Sequence, residues 1–222
     1  MKYLIHSCND RYWYVEKYLI PSMLEQGISM DDILVYRDVN NDGCLESFIK
    51  SIDMLSDDGD TWHLQDDVVI CEDFKQRTEK EYRSFLVCGF SSRYDRNLES
   101  GLFHHLELIW FSFPCIRITN MIVKHFAIWF RSYISDDARF NSWVESKKHD
   151  DLLFRYFLKN YYKRITGENL IPNLVEHVDW LIGGSITNSI RDGIVRSRYW
   201  DNEALIDQLK EKLKNEKIVV DN

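Results

Sequence analysis

The chain has 222 residues, 45% hydrophobic and 14% aromatic, enough to bury a sizeable core. A formal net charge of -8 repels phosphate backbones, so nucleic-acid binding would have to rest on a local basic patch. With 9 Gly, 3 Pro, no low-complexity stretch and no solenoid-period repeat, the expected organisation is one domain over 1–222, with a peripheral helix over 202–217.

Tyr3 to Cys8 is an apolar run stopped by Asn9 and Asp10, which predicts a buried first strand opening into a loop. A helix is expected from Tyr12 to Gln26, closed by Gly27 and liable to interruption at Pro21. Ile33 to Tyr36 reads as a second strand ending at Arg37 and Asp38, followed by the loop Asn40 to Gly43 and an amphipathic helix from Cys44 to Leu55. Trp62, His63 and Leu64 lead into Gln65, Asp66 and Asp67, and Val68 to Ile70 resumes the apolar pattern. Further strands are expected at Leu86 to Phe90 and Ile116 to Thr119, with helices over 120–133 and 151–162. This alternation of strand and helix is that of an open parallel sheet, whose ligands bind beyond the carboxyl ends of the strands.

The five cysteines, Cys8, Cys44, Cys71, Cys88 and Cys115, show no CxxC or Cys/His spacing and read as reduced thiols of a cytoplasmic protein. No apolar run suits a secretory signal or a membrane span; the closest, 111–133, is broken by Arg117, Asn120, Lys124, His125 and Arg131.

Asp66 and Asp67 stand between apolar Leu64 and Val68, and carboxylates so placed need something to offset their desolvation. Mg²⁺ or Mn²⁺ would do so, since these hard cations accept one or two carboxylates and complete their shells with water and phosphate oxygens. The competing explanation is an exposed turn between strands. Asp150 and Asp151 open a helix, where acidic residues also favour the macrodipole. Asn9, Arg11 and Asp38 follow the first two strands, where a nucleotide would sit in such a sheet. Trp143 and Trp180, beside the acidic and histidine segments, are candidates for contact with an acceptor. A lid is expected between Ser91 and Glu107, where charges, Gly101, His104 and His105 break the apolar pattern.

Three segments together resemble the glycosyltransferases of the GT-A fold. His63 to Val68 resembles their DxD-type carboxylate motif, with Gln65 where an acid is more usual. Lys148 to Leu153 is similar to the acidic pair that opens a late helix, and Ile171 to Val178 with Ser185 is similar to the closing Pro-x-Leu-Val-x-His strand and its loop. The resemblance spans about residues 60 to 190 and departs from the family at Asp179 and Trp180. It implies a Rossmann-like α/β fold, an open, mixed, mostly parallel sheet flanked by helices. It also implies transfer of a sugar from a nucleotide-sugar donor, foremost a UDP-sugar, to a glycan or to a hydroxymethylated base in phage DNA. By the same resemblance Asp67 and His177 would hold Mn²⁺ or Mg²⁺, while Asn9, Arg11, Asp38, Gln65, Asp66, Ser185 and Arg191 would hold the donor. Asp151 would be the catalytic base, with Asp150 second. The expected setting is the cytoplasm of a bacterium or a phage-infected host. Two other classes stay open: a metal-dependent nucleotidyltransferase or nuclease, and a non-enzymatic α/β binding protein.

Overall fold

Alternation along the first segment decides where the sheet lies. In the computed structural model Lys2–Cys8 forms strand β1, with Tyr3 and Ile5 buried against one layer of helices and Leu4 against the other. A strand apolar on both faces belongs to the middle of an α/β sandwich. The structure describes residues 1–91, 101–103, 113–133, 136–146, 149–163, 165–183 and 199–216. Its further strands are β2 (Ile33–Asp38), β3 (Asp60–Gln65), β4 (Val68–Ile70), β5 (Leu86–Cys88), β6 (Gly101–Phe103), β7 (Cys115–Thr119), β8 (Gly167–Asn169) and β9 (Val175–His177).

Among the described residues seven of these form one sheet in the order β2-β1-β3-β7-β5-β8-β6. β1 is parallel to both β2 and β3, and β5 is parallel to β8, whereas β7 and β6 run against their neighbours. The protein is therefore α/β, with a mixed sheet in which most strands share one direction, compatible with a Rossmann-like arrangement. β4 and β9 make a separate antiparallel pair in which Val68 faces His177 and Ile70 faces Val175.

Helices cover both faces. On one side Tyr14, Val15, Leu19 and Met23 from the first helical stretch, and Ile206, Leu209 and Leu213 from Glu203–Asn215, pack on Tyr3, Ile5, Trp62 and Leu64. On the other, Phe48 and Ile49 of Cys44–Ser51, Val123, Phe126 and Ala127 of Asn120–Ser132, and Phe154, Phe157 and Leu158 of Asp150–Tyr161 pack on Leu4, Leu86, Ile116 and Ile118. The three- and four-residue spacing of these side chains gives each helix one apolar stripe. Helix Ala138–Ser146 adds Phe140 to this core.

The expected break at Pro21 takes another form. Tyr12–Tyr14 is α-helical, Val15–Leu19 forms a π-turn in which the Ile20 N–H reaches the Val15 carbonyl, and the α-helix resumes at Ile20–Glu25. The wider turn immediately precedes Pro21, which has no N–H to donate, and the helix continues past it. Three-residue β6 and β8, and the helices Phe74–Thr78 and Ala138–Ser146, were not expected from the sequence. Of the proposed lid, only Ser91 and the backbone of Gly101–Phe103 lie within the described residues. No helix among the described residues is long and apolar enough to cross a membrane.

Two imidazoles are built into the interior. His6 of β1 and His63 of β3 stack with ring centroids 5.4 Å apart, their Nε2 and Nδ1 are 3.1 Å apart, and the Ser51 hydroxyl lies 3.1 Å from His6 Nδ1. Burial pushes His6 down to about 3 and holds His63 well below the ordinary histidine range. A histidine kept neutral in the fold stabilises it fully above the unfolded value near 6.5, and that contribution is lost as the pH falls towards the folded value. Urea unfolding of wild type and His6→Gln at pH 7.5 and 5 should show the stability gap moving by about 2 kcal/mol in favour of the variant at the lower pH. A gap independent of pH would contradict a His6 held neutral in the fold.

Candidate functional site

The parallel arrangement of β2, β1 and β3 places three carboxyl ends side by side. Beyond β1 comes the turn Asn9–Arg11, beyond β2 the Asp38 loop, and beyond β3 the Gln65, Asp66 and Asp67 segment. β4 follows Asp67 at once, and its register with β9 carries His177 alongside Val68. The Val178 N–H donates to the Asp67 backbone carbonyl at 2.8 Å, extending the pairing to the Asp67 main chain. Side chains from the turn after β1, the segment after β3 and the end of β9 thus meet at one point.

At that point the Arg11 guanidinium forks across both acids, 2.9 Å from Asp66 Oδ1 and in contact with Asp67 Oδ2. Asp66 Oδ2 accepts the Cys8 backbone N–H at 2.8 Å. His177 Nε2 lies 3.2 Å from Asp67 Oδ2, and its Nδ1 lies 3.3 Å from Asp179 Oδ1. The acidic side chains are only 3% and 5% exposed, against 14% for both Arg11 and His177. Three buried atoms inside the cluster have no hydrogen-bond partner, Asp67 Oδ1, Arg11 Nε and His177 Nδ1, the last facing Asp179 at ion-pair distance only.

The two carboxyls respond oppositely to this environment. Burial outweighs the pull of Arg11 and raises Asp66 to about 6. Asp67 also suffers burial, yet His177 and Arg11 together overcome it and hold its carboxyl well below the usual range. Burial opposes the charge of His177, but Asp67 and then Asp179 prevail and push it up to about 10. Asp67 is the firm anion of the pair, and His177 is its cationic partner.

A second cluster lies on the same edge of the sheet, where β2 leads into the Cys44–Ser51 helix. Asp38, 3% exposed, accepts from the Asp42 and Gly43 N–H groups at 3.0 and 3.2 Å and from the Ser47 hydroxyl at 2.7 Å. Those bonds fix the loop and the start of the helix, so Asp38 acts there as a helix-entry anchor. Asp150 packs against Cys44, buried, and is raised to about 8 by burial and then by Asp151. Asp151 is less buried, its carboxyl also raised by burial, and it accepts the Leu152 N–H at 2.7 Å. The acids therefore meet the N-terminal amides of Asp150–Tyr161 as well as standing at the carboxyl edge of the sheet.

The remaining expected residues divide. Asn9 Oδ1 accepts from Arg37 Nε at 2.9 Å, and Arg37 stacks 4.3 Å over the Tyr12 ring, which stiffens the turn before Arg11. Gln65 ends β3 half-buried, its N–H donating to the Pro114 carbonyl at 3.2 Å. Trp180 lies in the turn directly after His177, with Lys210 Nζ 5.7 Å from its ring centroid. Trp143 packs on the helical layer, 5.0 Å from the Arg139 guanidinium and edge-on to Tyr156. Ser185 and Arg191 lie outside the described residues. Asp179, Cys8 and Cys44 were not anticipated: their contributions depend on strand register and a backbone amide, which side-chain pattern does not encode.

Among the described residues no group of three or more His, Cys, Asp or Glu is arranged to hold a metal ion. The cluster offers two ligands, Asp67 with its unpartnered Oδ1 and His177 beside it. Two ligands fit a hard divalent ion that takes its other positions from water and phosphate. Compared with protein-family models and with curated proteins, the chain matches none.

Removing one partner of a buried ion pair leaves an uncompensated charge, at a cost of roughly 3–5 kcal/mol. Chemical denaturation of Arg11→Met should show a loss of that order, and Arg11→Met/Asp66→Asn should recover much of it. Equal losses in the single and double variants would mean that Arg11 stabilises through packing rather than charge.

Proposed function

We propose that the protein is a glycosyltransferase of the GT-A type, moving a sugar from a nucleoside-diphosphate donor, foremost a UDP-sugar, to a hydroxyl acceptor. One observation carries this reading. Asp67 and His177, from the first and last of the three family-like segments, are distant in sequence yet stand 3.2 Å apart at the carboxyl edge of a parallel strand trio. Each of these two segments resembles the family by itself, and their meeting at one point is a separate requirement that a chance match need not satisfy. The acidic balance of the chain favours a glycan acceptor over DNA.

In this reading Asn9 and Gln65 face the nucleoside and sugar hydroxyls, while Arg11 faces the diphosphate, whose charge suits a planar guanidinium. Asp67 and His177 would hold a divalent cation, which as a Lewis acid offsets negative charge building on the diphosphate. Asp151 receives the proton of the acceptor hydroxyl as its oxygen attacks the anomeric carbon, and the carbon–oxygen bond to the diphosphate breaks. The products are the glycosylated acceptor and a nucleoside diphosphate. Asp150 is the deeper of the pair and is raised to about 8 by burial and then by Asp151, so the less buried Asp151 is the better placed of the two to take up the proton. Ser185 and Arg191 remain donor contacts in the proposal, and Trp143 and Trp180 remain acceptor contacts.

Thermal unfolding in the presence of nucleoside diphosphates and nucleotide sugars, each with and without Mn²⁺, tests the donor site. One nucleotide class should raise the melting temperature of the wild type by several degrees at saturating concentration, with the shift dependent on Mn²⁺ and absent in Asp67→Asn. Failure of every nucleotide to stabilise well-folded protein would count against the donor site.

A further inference from the structure

We propose that Arg11 is an internal stand-in for the divalent cation: it occupies the carboxylate cluster, and it must swing out when the metal enters. This rests on the reading of Asp67 and His177 as metal ligands. Three of the four carboxylate oxygens of Asp66 and Asp67 are already committed: Asp66 Oδ1 to Arg11, Asp66 Oδ2 to the Cys8 N–H, and Asp67 Oδ2 to Arg11 and His177 together. Only Asp67 Oδ1 is left, buried and unpartnered.

A dication at Oδ1 would face the guanidinium across a single carboxylate, and like charges at that separation in a poorly hydrated site repel strongly. His177 enters this reading as a neutral ligand of the metal, so the guanidinium is the like charge that remains on the acids, and it must leave them. Arg11 is the side chain equipped to do so. It is more exposed than either acid, and its Nε has no partner to hold it. It also sits in the three-residue turn Asn9–Arg11 rather than in a strand.

Once displaced, the guanidinium is beside the place the proposed diphosphate must occupy, with its fork of donors free for phosphate oxygens. Metal entry and nucleotide entry are then coupled. The metal alone binds weakly because it must displace Arg11 for no return, whereas the diphosphate takes up the freed guanidinium. Such coupling is reciprocal, so the metal strengthens nucleotide binding by the same factor.

The test is direct titration of Mn²⁺, followed by calorimetry or by loss of the free-ion electron paramagnetic resonance signal, with and without saturating UDP. The wild type should bind Mn²⁺ weakly alone and about tenfold or more tightly with UDP. Arg11→Met should bind Mn²⁺ alone about tenfold more tightly than the wild type, and UDP should add little. Because Arg11→Met loses stability, the same comparison is made between Asp66→Asn and Asp66→Asn/Arg11→Met, where the buried charge is better balanced.

Equal or weaker Mn²⁺ affinity on removing Arg11 in both backgrounds, with Asp67→Ala abolishing binding, would overturn the role of Arg11 and leave the metal site standing. Absence of Mn²⁺ binding to every variant, even with UDP, would overturn both.

Discussion

The ion-pair fork of Arg11 on Asp66 and Asp67 is the constraint around which the rest of the candidate site is arranged. Two adjacent carboxylates cannot enter a site this dry unless cations accompany them. Arg11 supplies one from the turn after β1, and His177 supplies the other from β9. Each cation arrives by a backbone device: the parallel pairing of β1 with β3, and the antiparallel pairing of β4 with β9. The small two-stranded sheet is therefore an electrostatic necessity as much as a packing unit, since it delivers the second positive charge to Asp67.

The same cluster explains why neighbouring acids behave differently. Asp66 has one guanidinium and one amide for company and remains raised by burial, while Asp67 has two cations and is strongly acidic. A site holding one firm anion and one marginal anion can accept a new cation at the first and exchange hydrogen-bonding partners at the second. In the acidic pair at the head of Asp150–Tyr161 burial raises both carboxyls, the deeper Asp150 to about 8. At Asp66 and Asp67 the number of neighbouring cations sets the two carboxyls apart, whereas at Asp150 and Asp151 depth of burial does.

Much of the framework was legible because its signals are local. The apolar run of β1, the stripe Ile122, Val123, Phe126 and Ala127, and the Asn-Asp stop after Cys8 each act within a few residues, and the structure places a strand, a helix and a turn there. The three-residue strands β6 and β8 were illegible for the converse reason: too short to show a period, they exist through their neighbours. Within the site, the acids could be singled out from their apolar flanks, but the fork of Arg11 could not. Nothing in the spacing of Arg11 from Asp66 says that β1 and β3 will be neighbours. Asp38 shows the limit from the other side. Its place after β2 suited a ligand contact, yet the adjacent Asp42, Gly43 and Ser47 take up its carboxylate oxygens.

The central claim is that this edge of the sheet transfers a sugar, and product identity tests it most directly. Purified protein is incubated with Mn²⁺ and each nucleotide sugar, with and without candidate hydroxyl acceptors, and the nucleotide products are resolved by chromatography. Wild type should release the nucleoside diphosphate of one donor, more rapidly when its acceptor is present. Release should fall by about a hundredfold or more in Asp151→Asn, as expected when a general base is removed. Formation of pyrophosphate, cleavage of added nucleic acid, or no turnover of any donor by protein that binds it would contradict the account.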